Sequence, residues 1–270
     1  MNIRNTDIAS LNRVLTISDQ YESMHSIIPI FGLLFFLNFC VLQAAHGQAS
    51  IGEETRVVID SRGWELIGNL RLPASKNPLP AVLMLNKAAG NRSTYRELAL
   101  QLAARGIASL RVDLPGHGES TNLGRFVPGE VERSPMIWDA EQDVAAAYRF
   151  LRSQARIDTN NIGIVGSSYS GEEMAEAGRQ NGYARAYVAL SPGSFSDESI
   201  SEIDSSGIPW LFIASKNERF LREITAAVQQ QSQSVQLVIV PGESHATDIL
   251  EEHADMAERI AVWLDQRLHQ

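Results

Sequence analysis

Asn161-Ile-Gly-Ile-Val-Gly-Ser-Ser-Tyr-Ser-Gly171 is the stretch whose reading decides the fold. Its apolar run, Ile162 to Val165, has the character of a buried strand and stops at Gly166. A helix-type segment then begins near Tyr169 and carries Met174, Ala175 and Ala177. The small residues between them allow a sharp strand-to-helix turn with Ser168 at its centre. On such a turn the hydroxyl points out above the sheet. The backbone N–H of Tyr169 lies at a helix N-terminus, where a developing negative charge is stabilised. The pattern is G-x-S-x-G with Ser170 in place of the last glycine, a small residue for a small one.

Working outward, strand and helix patterns alternate. Thr55 to Asp60 and Trp64 to Leu72 form an opening antiparallel hairpin turned by Ser61-Arg-Gly63. Pro73 to Pro80 reads as a loop, and Ala81 to Asn86 as a strand buried on both faces. A helix capped by Ser93 or Thr94 runs to about Arg105, followed by a strand, Ile107 to Val112, and an amphipathic helix, Trp138 to Arg152. Beyond the Ser168 turn, strands are expected at Ala186 to Leu190, Trp210 to Ala214 and Gln236 to Val240, with helices after the last two. The sum is an eight-stranded, mostly parallel sheet covered by helices on both faces, in one domain from residue 50 to 270.

In such a sheet reactive groups belong at the carboxyl ends of strands. The strand Trp210 to Ala214 runs into Ser215-Lys-Asn-Glu218, which offers a carboxylate. The last strand runs into Pro241-Gly-Glu-Ser-His245, which offers an imidazole. Serine, acid and histidine therefore follow one another as Ser168, Glu218 and His245. Asp197, after the preceding strand, is the alternative acid.

Composition fits an ordinary globular protein with ample core, at 44% hydrophobic and 20% charged residues. The net charge of −9 argues against nucleic acid as a partner. The single cysteine, Cys40, lies outside the domain, and the scattered histidines form no metal-ligand spacing, so neither a disulfide nor a metal enters this reading.

With G-S-S-Y-S-G at 166–171, D-L-P-G-H-G-E-S at 113–120 and G-E-S-H at 242–245, the chain resembles the α/β-hydrolase family from about Thr55 to Leu268. The likeness is to its capless bacterial esterase and dienelactone-hydrolase-like branch. The resemblance implies a nucleophile at Ser168, a base at His245, and an acid at Glu218 that fixes the histidine tautomer. It implies no cofactor. It also implies two oxyanion-hole donors, the backbone N–H groups of Tyr169 and of Ala88. The chain departs from the family in carrying Asn86-Lys87 where many members have His-Gly, and Glu where Asp is commoner. His117 and Asp113 are read as loop organisers, and Lys87 as a solvated loop charge.

About twenty residues separate Leu190 from Trp210, too few for a helical cap domain. Thr121 to Ile137 reads as an irregular loop, so an open site is expected. The implied activity is hydrolysis of a small-molecule ester or acyl substrate through an acyl-enzyme. A serine peptidase, acyl-peptide hydrolase or thioesterase on the same residues is the alternative. A non-catalytic binding protein of the same fold is the alternative of another class.

Residues 1–49 read as an N-terminal extension. From Ser26 to Ala45 no residue is formally charged, and small residues follow at Gly47 and Ala49. This is the pattern of a signal peptide with an exported product, residues 24–49 making one of ordinary length. An uncleaved membrane anchor is the rival, and that segment is the only expected membrane contact.

Overall fold

The computed structural model describes residues 51–129, 134–182, 184–193, 195–219, 221–229 and 234–270. The expected signal peptide or anchor lies outside them. Among the described residues no helix is long and apolar enough to cross a membrane.

The strands are β1 (Glu53–Ser61), β2 (Trp64–Leu72), β3 (Leu79–Leu85), β4 (Ala108–Val112), β5 (Ile157–Ser167), β6 (Ala186–Leu190), β7 (Trp210–Ser215) and β8 (Val235–Val240). They form one sheet in the order β1-β2-β4-β3-β5-β6-β7-β8. The β1–β2 and β2–β4 pairs are antiparallel and all later pairs parallel, as expected of a hairpin leading into a wound sheet. The helices are α1 (Arg96–Ala103), α2 (Pro135–Trp138), α3 (Glu141–Arg152), α4 (Tyr169–Asn181), α5 (Asp197–Ser206), α6 (Leu221–Gln229), α7 (Asp248–Glu252) and α8 (Met256–Leu268).

Side-chain alternation along β3 shows how both faces are covered. Leu83 and Leu85 pack with Val144, Ala147 and Leu151 of α3 and Met174 of α4. Val82 and Met84 point the other way, onto Leu98 and Leu102 of α1 and Ile260 and Leu264 of α8. Every residue of β3 is buried, which is why the strand reads as a continuous apolar run. Each leucine so buried stabilises the fold by about 1.5–3 kcal/mol.

Some boundaries differ from expectation for local reasons. Asn91, not Ser93 or Thr94, caps the first helical turn, its side chain accepting the Ser93 N–H at 2.9 Å. The expected helix from Trp138 divides at Asp139 into α2 and α3, α2 starting earlier because Pro135 sits at its first turn. Strand β5 begins at Ile157, five residues early, its register with β3 shifting between Leu79 and Ala81. Among the described residues the interval between β6 and β7 holds the single helix α5, short of a cap domain.

Candidate active site

Strand β5 ends at Ser167, and Ser168 adopts φ 54° and ψ −127° before α4 begins at Tyr169. A non-glycine residue in such a conformation costs on the order of 1–3 kcal/mol and persists only where its surroundings hold it. They do so here. The Ser168 N–H donates to Leu190 O at the end of β6 (2.9 Å), and the Gly171 N–H donates to Ser168 O (3.0 Å). Gly166 is required, because a Cβ there would lie 2.6 Å from the Ser170 carbonyl oxygen. Ser170, the departure from the pattern, is fully buried. Its hydroxyl accepts the Ser167 N–H (2.8 Å) and lies 3.0 Å from Ser167 O and 3.2 Å from Leu85 O, so it laces the turn to β3. A glycine would supply none of these contacts.

The loops after β5, β7 and β8 converge. Nε2 of His245 lies 3.0 Å from Ser168 Oγ, and Nδ1 lies 3.0 Å from Glu218 Oε2. The other Glu218 oxygen accepts the Ser215 N–H at 2.9 Å. The Glu218 side chain is 1% exposed and that of His245 is 32% exposed, so the acid is sealed while the imidazole reaches solvent. A carboxylate can only accept, which places the imidazole proton on Nδ1 and makes Nε2 the acceptor for the serine hydroxyl. The Glu218 carboxylate thus spans the Ser215 N–H on one side and the His245 ring on the other. The structure thus brings the three expected side chains into one hydrogen-bonded row. Asp197 is exposed at the start of α5 and takes no part in that row.

The two expected oxyanion donors sit at the same end of the sheet. The N–H of Tyr169 is the first of α4 and has no acceptor within the helix. Ala88 lies in the turn Lys87–Gly90, closed by the Gly90 N–H on Lys87 O (3.0 Å), with Ala89 at φ 58°. Asn86 shapes this turn. It is fully buried, accepts the Leu114 N–H at 2.8 Å and donates to Lys87 O at 2.8 Å.

Asp113 accepts the Arg92 N–H (2.6 Å) and the Glu119 N–H (2.9 Å), and it is ion-paired to the Arg92 guanidinium, which makes it a loop organiser. His117 donates from Nδ1 to Pro115 O at 2.8 Å and stacks on Phe126 at 4.8 Å. Burial holds its pKa below the ordinary histidine value, so it packs as a neutral ring. Lys87 differs from expectation. It is not solvated but paired at 2.5 Å with Asp248, with only 19% of its side chain exposed.

Sequence reasoning passed over three residues. Ser191, at φ 43°, accepts the N–H of Ala246 at 2.9 Å and so pins the residue after His245. Its only sequence signal is its place directly after a strand. Glu172 and Glu173, in the first turns of α4, line a cleft of about 420 Å³ with Trp138, Glu141 and Phe195. Burial pushes both carboxyls up to about 8, helped by Glu176 for the first and Glu141 for the second. Nothing in a Glu-Glu pair distinguishes this from a solvated helix face.

A parallel sheet entered through an antiparallel hairpin, with a strained serine on the turn after its fifth strand, is the α/β-hydrolase fold. A solved esterase of Pyrococcus furiosus superposes on 80% of this chain and 92% of its own with a TM-score of 0.62, at 15% identity, a likeness of fold alone. The chain belongs to the X-Pro dipeptidyl-peptidase (S15) family, which it matches over residues 62–199. That span includes Ser168 and stops short of Glu218 and His245. A probable 2-oxo-3-(5-oxofuran-2-ylidene)propanoate lactonase of Bradyrhizobium sp. is 26% identical over 204 residues, covering 70% of this chain and 82% of the relative. An uncharacterised protein of Mycobacterium tuberculosis is 30% identical over 180 residues, covering 66% of this chain and 58% of the relative.

Proposed function

We propose that this protein is a serine hydrolase of carboxylic esters, cyclic esters included, working through an acyl-enzyme on Ser168. The observation that carries the reading is the row Ser168 Oγ–His245 Nε2–His245 Nδ1–Glu218 Oε2, with both contacts at 3.0 Å. A serine hydroxyl at its ordinary pKa is a weak nucleophile until a base accepts its proton. In this reading His245 accepts it as Oγ attacks the carbonyl carbon, and Glu218 stabilises the imidazolium that forms. The tetrahedral oxyanion is met by the N–H groups of Tyr169 and Ala88, the first at the positive end of α4. His245 then gives its proton to the leaving oxygen and the ester C–O bond breaks. A water attacks the acyl-enzyme by the same route and releases the carboxylic acid and free Ser168.

The lactonase relative supports an ester bond, since a lactone is an ester closed into a ring. Family membership favours a second reading, cleavage of peptides after an X-Pro pair by the same residues. Rates on p-nitrophenyl esters and unsaturated γ-lactones, set against X-Pro p-nitroanilides, separate the two. A fluorophosphonate probe should label the wild type at Ser168, and Ser168→Ala should lose both labelling and turnover. Full turnover by that variant refutes the assignment, and failure of every substrate with no labelling would make the protein a binder. We also propose that residues 24–49 direct export or anchor the protein. The N-terminal sequence of protein recovered from the cell envelope would distinguish cleavage from anchoring.

A further inference from the structure

The Lys87 ammonium lies 2.5 Å from Asp248 Oδ1, and the ends of this pair sit on two segments that the proposed chemistry needs in register. Lys87 directly precedes Ala88, whose N–H is a proposed oxyanion donor. Asp248 opens α7, and its own N–H donates to the His245 carbonyl at 3.2 Å. In the sheet, β3 and β8 are separated by β5, β6 and β7. No ladder hydrogen bond therefore couples the turn after β3 to the loop after β8. The Lys87 side chain makes that connection across the carboxyl end of the sheet.

The pair is poorly placed to stabilise the fold. Its Asp248 end is 49% exposed, so solvent screens the attraction, while the lysine gives up rotamer freedom to hold one geometry. What the pair does fix is a distance between two loops. Catalysis by preorganised donors depends on such distances, since a misplacement of about 1 Å can cost on the order of a hundredfold in rate.

We infer that the Lys87–Asp248 ion pair is a latch that sets the Ala88 N–H against the His245 imidazole, with Lys87 and Asp248 as positioning residues. This rests on the assignment of Ser168, His245 and Ala88 proposed above. The opposing idea is that the ammonium stabilises the oxyanion by its own charge. The two make opposite statements about Asp248. As a latch, either end is needed; as a free electrophile, Lys87 gains when its partner is neutralised.

The test compares Lys87→Met, Asp248→Asn, the double variant and Lys87→Arg in the intact protein, with kcat and KM on a p-nitrophenyl ester and the melting temperature of each. Each single loss should lower kcat by roughly 10- to 100-fold, less than the 10²–10³ for outright removal of an oxyanion donor. KM should hold within about threefold, because the displaced donor acts on the transition state and not on bound substrate. The melting temperature should shift by no more than about 4 °C, in keeping with an ion pair whose one end is screened by solvent. The double variant should be no slower than the slower single one, and Lys87→Arg should recover most of the rate. An Asp248→Asn variant with kcat unchanged or raised overturns the latch, as do additive losses in the double variant. A fall in melting temperature with kcat intact also overturns it, as that would be a brace and no more. Ser168→Ala in the same assay keeps the two levels apart. Turnover retained there overturns the serine reading and the latch with it, whereas loss there with full kcat in both ion-pair variants overturns the latch alone.

Discussion

Glutamine at position 218 separates the duties of two oxygens. In the native protein Oε1 accepts the Ser215 N–H at 2.9 Å and Oε2 accepts from His245 Nδ1 at 3.0 Å. An amide of the same shape offers one acceptor and one donor. If its oxygen stays on Ser215, its NH₂ faces Nδ1 and the imidazole must accept there. The imidazole proton then moves to Nε2 and points at Ser168 Oγ, a tautomer that cannot take the hydroxyl proton. If the amide flips, its NH₂ meets the buried Ser215 N–H and leaves a donor without an acceptor, at a cost of about 1–3 kcal/mol. At 1.36 kcal/mol per factor of ten, that alone disfavours the productive orientation by roughly 5- to 150-fold. The lost negative charge beside the developing imidazolium adds to it, and the corresponding change in a serine protease costs about 10⁴ in kcat. Glu218→Gln should therefore lower kcat by roughly 10³ to 10⁴ with the fold intact. Initial rates on a p-nitrophenyl ester measure it, with circular dichroism to verify folding. Asp197→Asn is the control and should leave the rate unchanged. A well-folded Glu218→Gln enzyme within about tenfold of wild type would refute both the tautomer reasoning and the role given to Glu218.

Two further predictions concern the helix that carries the serine. Burial holds the Glu172 and Glu173 carboxyls at about 8, above the 4.5 of an ordinary glutamate. The folded state therefore keeps protons that the unfolded chain has released, and these groups lose native stability as pH rises from about 4.5 to about 8. In urea unfolding, the stability of Glu172→Gln/Glu173→Gln relative to wild type should rise by at least ~1 kcal/mol between pH 5.5 and 8, and a difference independent of pH contradicts the burial argument. Gly166→Ala would force a Cβ to within 2.6 Å of the Ser170 carbonyl oxygen, so the first turn of α4 must move. Overpacking of this kind costs about 1–3 kcal/mol, and kcat should fall further than stability because Tyr169 and Ser168 move with the turn. An alanine variant that melts and turns over like wild type would mean the turn has room that the geometry denies.

The sequence by itself determined the layering of this protein and the residue types that gather at its candidate site. A buried strand must be apolar throughout and a covering helix apolar on one side, so β3 and α3 declare themselves in the pattern of Ala81 to Asn86 and of Val144, Ala147, Tyr148 and Leu151. The turn at Ser168 is legible for the same reason: small residues between a strand and a helix have a local steric cause. Strand ends collect at one edge of a wound sheet, so Glu218 and His245 were legible as neighbours of Ser168 from their places in the chain alone.

Only the tertiary structure decided what depends on side chains meeting across that edge. Lys87 and Asp248 are 161 residues apart, and no local pattern pairs them. Ser191 pins Ala246 across 55 residues, and the Ser170 hydroxyl reaches back 85 residues to Leu85. Glu172 and Glu173 carry the same letters as any exposed pair, and their raised pKa values come from burial and from neighbouring carboxylates, Glu141 at the start of α3 among them. Local sequence fixes torsions and faces. Long-range distances, burial and the field at a given carboxylate arise only once the chain has closed on itself.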